Sequence, residues 1–190
     1  MPNNTTNEIK KAIEILEAGG LILYPTDTVW GIGCDATNEE AVKKVYQLKN
    51  RIDSKALICL VANDAMLEKH VEKVPDLAYD LIDLSTKPTT IIYESPKGVA
   101  KNLVAADNTL AIRVASDKFC QYLINKFKRP IVSTSANLSG SPTPKSFSEI
   151  SNEVLIGVDY VVNLQPEHEN AVPSAIIKLG NDGTVQIIRK

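Results

Sequence analysis

The chain has 190 residues, 44% of them hydrophobic and 23% charged, with a formal net charge of −2. That length suits one domain that buries its core without disulfides, and the near-neutral balance excludes a global positive field, so any anion must be held by a local cluster. Three scattered cysteines (Cys34, Cys59, Cys120) and two isolated histidines (His70, His168) contain no CxxC pair, which argues against a zinc site or a disulfide framework.

The first residues, Met1 to Lys11, are polar and lack the apolar run of a signal peptide, and no stretch reaches bilayer-spanning length. With free thiols, this predicts a cytoplasmic protein with no membrane partner. Asn7 reads as the N-cap of a first helix with Ile9, Ala12, Ile13 and Leu16 on one face, closed by Gly19 and Gly20. Leu21 to Tyr24 reads as a buried strand ended by Pro25, and Val29 to Gly33 as a second. Asn38 caps a helix through Leu48. Ala56 to Ala62 is a central strand, Asn63 or Asp64 starts a short helix, and Pro75 opens another to about Leu84. Thr90–Tyr93 and Thr109–Val114 are strands, Asp117–Lys126 a helix, and Ile131–Ser133 a strand. Ser139–Ser146 is a Ser- and Pro-rich loop, and Ser141–Phe147, which holds Lys145, is a candidate lid. Strands follow around Tyr160, Ile176 and Ile187. Interleaved strands and helices without repeats predict a three-layer α/β (α+β) domain over residues 1–190. Several connections are too short for helical crossovers, so the sheet should be mixed.

Four segments offer chemistry. Pro25–Thr28 (PTDT) places two hydroxyls and a carboxylate at a strand end, where ligands gather in open α/β folds, although an Asx turn is the plainer reading. Lys49, Arg51 and Lys55 form a basic cluster suited to phosphates, or simply a solvated helix end. No GxxxxGK[ST] loop is present, so ATP, if bound, is held by side chains. Ile131–Gly140 (IVSTSANLSG) runs an apolar strand into dense hydroxyls; no histidine lies nearby and GxSxG is absent. Arg113 sits inside an apolar strand, which is costly unless it is paired or holds an anion. Ser174 alone says little.

In their order and spacing, PTDT at Pro25–Thr28, KxR at Lys49–Arg51 and SxN at Ser135–Asn137 resemble the YrdC-like threonylcarbamoyl-AMP synthase family. The likeness extends from about Ile9 to Arg189 and is closest to the short, single-domain form. It implies a three-layer YrdC/RibB-like fold, with a mixed twisted sheet flanked by helices around a basic concave cavity. It also implies a reaction: threonine and bicarbonate give a carbamate, which attacks the α-phosphorus of ATP and releases pyrophosphate. The product serves tRNA threonylcarbamoyladenosine modification through a separate transferase complex, and the family has been described as binding double-stranded RNA directly.

Position by position, the resemblance assigns Thr28, Arg113, Ser135 and Ser174 to threonine. It assigns Lys49, Arg51, Lys55, Thr109, Asn137, Lys145 and Arg189 to ATP. Lys49, Arg51, Ser135 and Asn137 form the catalytic set. Magnesium is expected with the triphosphate, its ligands unknown. Attack on phosphorus needs positioning and charge more than a nucleophilic side chain, which suits this set.

There are departures from the family pattern. Ile52 and Ala56 stand where proline is usual, Trp30 where tyrosine is, Thr86–Thr90 (TKPTT) where PGPxT is, and Pro173–Ala175 (PSA) where PST is. Alternatives are therefore a non-catalytic double-stranded RNA- or tRNA-binding protein associated with translation, and a paralogue that activates a different carbamate.

Overall fold

A computed structural model describes residues 3–50, 57–164 and 172–190, the side chain of residue 3 excepted. The first helix, α1 (Asn3–Glu17), starts before the expected cap at Asn7, which lies within it. The reason is tertiary: buried Glu8 accepts hydrogen bonds from Tyr160 Oη (2.6 Å) and Asn163 N (2.7 Å), so that turn of helix is pinned by packing rather than ended by a cap. Its C-terminus follows local chemistry. Gly19 adopts φ +71°, and Gly19 N and Gly20 N return to the carbonyls of Leu16 and Ile15, the pairing of a Schellman motif.

Two short strands follow, β1 (Ile22–Tyr24) and β2 (Gly31–Gly33). The Asn38 side chain caps α2 (Glu39–Leu48) by accepting from Glu40 N and Ala41 N. Next come β3 (Ile58–Val61), α3 (Asp64–His70, capped by Asn63) and α4 (Asp76–Leu84, preceded by Pro75). β4 (Thr89–Glu94) and β5 (Thr109–Val114) lead to α5 (Lys118–Phe127), capped by Asp117. β6 (Ile131–Ser135) runs two residues further than the sequence suggests. A short helix, α6 (Asn152–Gly157), was not expected, and β7 (Tyr160–Val161), β8 (Ala175–Leu179) and β9 (Val185–Arg189) complete the order.

Among the described residues the nine strands form one sheet, ordered β7-β1-β2-β6-β3-β5-β4-β8-β9. It is mixed: β1/β7, β3/β5 and β4/β8 are parallel, the remaining pairs antiparallel. The alternation of side chains sorts the core onto two faces. Ile22, Tyr24, Leu60 and Ile131 pack with α1 and α5, whereas Leu23, Cys59, Val61, Val132 and Ile112 pack with α2, α3 and α4. The result is the expected three layers. Each fully buried Leu or Ile contributes roughly 1.5–3 kcal/mol, so both helical layers are anchored independently. The three cysteines are buried and free.

Candidate active site

On β5, Leu110 and Ile112 join the α2–α3–α4 face, so Ala111 and Arg113 point to the other side. The same parity turns Ile58 of β3 and Ser133 and Ser135 of β6 toward that side. Beyond α1 and α5 these residues line a cavity of about 290 Å³, completed by Thr28, Ser174 and Arg189. Gly31 belongs to its wall. A Cβ there would stand 3.3 Å from both Ser133 Oγ and Thr26 Cγ2, so a side chain would crowd the hollow.

Arg113 is 4% exposed. Its Nη2 lies 2.9 Å from Asp27 Oδ1, an ionic contact without hydrogen-bond alignment, and donates to Thr28 Oγ1 at 3.4 Å. Its Nε is buried and has no partner among the described residues. Thr28 Oγ1 in turn shares a 3.0 Å hydrogen bond with Thr26 Oγ1, which donates to Val29 O. The PTDT segment is therefore a turn, but Thr26 and not Asp27 makes its local bond: Thr26 Oγ1 accepts from Thr28 N at 3.1 Å, whereas Asp27 turns to Ser116, so the expected Asx turn is not formed.

Opposite, Arg189 Nε donates to Ser174 O (2.9 Å) and Nη2 to Ser174 Oγ (3.4 Å), while Ser174 Oγ shares a 2.8 Å bond with Thr90 Oγ1. Partial burial and the positive charge of Arg113 together hold the Arg189 guanidinium below its usual pKa. Two like charges facing one cavity mark it as a seat for an anion.

Lys49, at the end of α2, is buried rather than solvated. Its Nζ donates to Asn137 O (2.6 Å) and to Ser135 O, which ties the end of α2 to the loop after β6. Asn137 orders that loop: Oδ1 accepts from Ser135 Oγ, and Nδ2 donates to Ser141 O at 2.6 Å. Asn137 lines an adjoining hollow of about 250 Å³, which shares Thr143 with the first cavity. The loop is pinned further along, where Phe147 meets Trp30 with ring centroids 5.1 Å apart.

Other predicted residues lie apart. Thr109 is on the same face of β5 as Arg113 but beyond Ala111; its hydroxyl donates to Asp107 Oδ1 (2.7 Å), and it is not in the cavity wall. Lys145 is exposed on the loop, its backbone N bound to Glu149 Oε2 (2.9 Å). Arg51 and Lys55 lie outside the described residues. Sequence reasoning missed Ser133, Thr134 and Thr143, and it missed the partnership of Asp27 with Arg113. The alternation along Ile131–Ser135 was a usable signal for Ser133; nothing local announces the other three.

Among the described residues no histidine, cysteine or carboxylate lines the main cavity, and no three metal-ligating side chains cluster. Its chemistry is that of guanidinium and hydroxyl groups, suited to holding carboxylate and phosphate in place. No helix of the described residues is long and apolar enough to cross a membrane.

The profile of the Sua5–YciO–YrdC family, described as "Telomere recombination", matches residues 14–190. Threonylcarbamoyl-AMP synthase from Pseudoalteromonas translucida is 36% identical over 171 residues, covering 88% of this chain and 91% of that relative. Escherichia coli YciO superposes with a TM-score of 0.83 at 25% identity, covering 100% of this chain and 91% of that one. Sua5 from P. abyssi, in complex with L-threonine, superposes with a TM-score of 0.80 at 27% identity over 90% of this chain. This chain spans about half (50%) of that Sua5.

Proposed function

Because the chain belongs to the Sua5–YciO–YrdC family, we propose that it is a threonylcarbamoyl-AMP synthase, forming threonylcarbamoyl-AMP and pyrophosphate from L-threonine, bicarbonate and ATP. One observation supports this reading above the others. A buried guanidinium with an unpartnered Nε shares a cavity with a second arginine and several hydroxyls.

In this reading the threonine carboxylate takes the unpaired edge of Arg113, restoring a hydrogen bond whose absence costs about 1–3 kcal/mol. Thr28, Ser135 and Ser174 fix the remaining polar groups of threonine. The amine and bicarbonate form an N–C bond with loss of water, and the resulting carbamate oxygen attacks the α-phosphorus of ATP. The P–O bond to pyrophosphate breaks, so no covalent enzyme intermediate is needed. Lys49, Arg51, Lys55 and Arg189 offset the triphosphate charge, and Asn137 orients it from the adjoining hollow; Thr109 and Lys145, which stand outside both hollows, take no direct part. Any magnesium ion arrives on the triphosphate. A walled cavity suits a carbamate and an acyl phosphate, both short-lived in water.

The product's consumer is a transferase that acts on tRNA, and the compartment is the cytoplasm, where three unpaired thiols persist. The test is pyrophosphate release by the purified protein with ATP-magnesium. Release that requires both threonine and bicarbonate supports the reading. Release that serine or another amino acid supports better than threonine does assigns the chain to a different carbamate instead.

A further inference from the structure

We infer that Asp27 is a positioning residue for threonine, acting through Arg113. The inference rests on the reading of Arg113 as the carboxylate anchor.

Asp27 stands on the turn after β1 with its side chain 4% exposed, and its two oxygens are divided between two jobs. Oδ2 accepts from Ser116 Oγ (2.6 Å) and Ser116 N (3.3 Å), which fixes the carboxylate to the chain just past the end of β5. Oδ1 faces Arg113 Nη2 at 2.9 Å. Asp27 thus contacts both the strand that carries Arg113 and Ser116, two residues past the end of that strand.

The bridge holds the guanidinium at one nitrogen, and Nε has no partner among the described residues. An arginine with several single bonds has many rotamers, and a buried one without a counter-charge would turn toward any acceptor. Asp27 removes that freedom, and Arg113 remains part of the cavity wall. Asp27 does so from outside the cavity. Asp27 and Ser116 line a separate hollow with Lys87 and Thr89, whereas Arg113 lines the first. The carboxylate therefore never competes with a substrate from within the site, and the ion pair forms part of the wall between two hollows.

Asp27→Asn keeps an oxygen for Ser116 and removes the charge facing Arg113. It is expected to raise the threonine KM by about tenfold or more, with the ATP KM held within about twofold and kcat changed far less than KM. Ser116→Ala, on an exposed residue, should move the threonine KM in the same direction by a smaller factor. Made on Arg113→Lys, Asp27→Asn should add less than about twofold, since a residue acting through another has no separate effect.

A threonine KM unchanged in Asp27→Asn overturns the inference, as does an equal rise for threonine and ATP, or full additivity with Arg113→Lys. Should Asp27→Asn fail to fold, Ser116→Ala decides: an unchanged threonine KM there overturns it. Absence of threonine-dependent pyrophosphate release in the parent protein would defeat the functional reading itself. Release in the parent with unaltered Asp27→Asn kinetics would defeat this inference alone.

Discussion

Arg113 is the residue on which the proposed threonine site turns, and its placement illustrates what burial demands of a charged group. Inside an apolar strand the guanidinium is desolvated, so each donor without a partner is costly, and an arriving carboxylate recovers that cost. Lysine carries the same charge but presents no planar edge. Arg113→Lys is therefore expected to lower kcat/KM for threonine by about tenfold or more while ATP affinity changes little, measured by steady-state pyrophosphate release. Activity within twofold of the parent would remove Arg113 from the threonine site. At this scale the sequence was legible wherever a residue stood out against its surroundings: an arginine amid LAI–VA, or hydroxyls amid an apolar strand. It was silent on the pairing of Asp27 with Arg113. An ion pair that joins two distant segments leaves no periodic trace, and the Asx-turn reading accounts for an aspartate in PTDT without it. Lys49 was legible as a cation, yet its burial against two backbone carbonyls depends on a loop that the sequence does not locate.

At the level of helices and strands, the caps carry most of the information. Asn38 was readable as a cap, and helix starts were readable near Asn63 and Asp117, because each side chain accepts from the backbone two or three residues ahead, a local interaction; the sequence left Asn63 and Asp64 as alternatives and placed Asp117 inside its helix, not at the cap. Asn38→Ala should cost about 1 kcal/mol of stability, measured by chemical denaturation, with α2 and hence Lys49 loosened first. Asn7 failed as a cap because tertiary bonds to Glu8 keep that turn helical, and α6 was missed because six residues show too little periodicity.

Asp117 adds a pH signature. Burial raises its pKa above the usual aspartate value, and Oδ2 has no partner among the described residues. The folded chain then binds that proton more tightly than the unfolded chain does. Stability from this group is fully present below the ordinary aspartate pKa and is lost as the pH rises through the raised folded value. Asp117→Asn keeps a capping oxygen and cannot ionise. Relative to the parent, its melting temperature should compare more favourably at neutral pH than at pH near 4, read from parallel thermal melts. The opposite trend would contradict the assignment.

Taken as a whole, the molecule spreads one site across its sheet. Thr28 follows β1, Arg113 lies on β5, Ser135 closes β6, Ser174 precedes β8 and Arg189 ends β9. The three-layer, mixed-sheet class followed from interleaved elements and short connections. The strand order, which decides that these residues meet, depends on pairings that no local pattern encodes. The outer strand β9 is exposed along its length, with Ile187 60% exposed and paired with Ile177. An apolar sheet edge is prone to pair with another chain. Ile187→Lys should reduce concentration-dependent association in light scattering without altering threonine kinetics, since Ile187 is not in the cavity wall.

Among the described residues that same outermost ribbon has β8 alone as its hydrogen-bonded neighbour, yet it supplies one of the two guanidiniums that line the cavity there. Peripheral strands open locally at small energetic cost, far below global unfolding. A nucleotide gripping Arg189 would stitch this fringe to the interior. Deuterium uptake at the amides of 185–189 should therefore slow on occupancy, while β3, already enclosed between β5 and β6, exchanges as before. The frayed border of the sheet would then report whether the hollow behind it is filled.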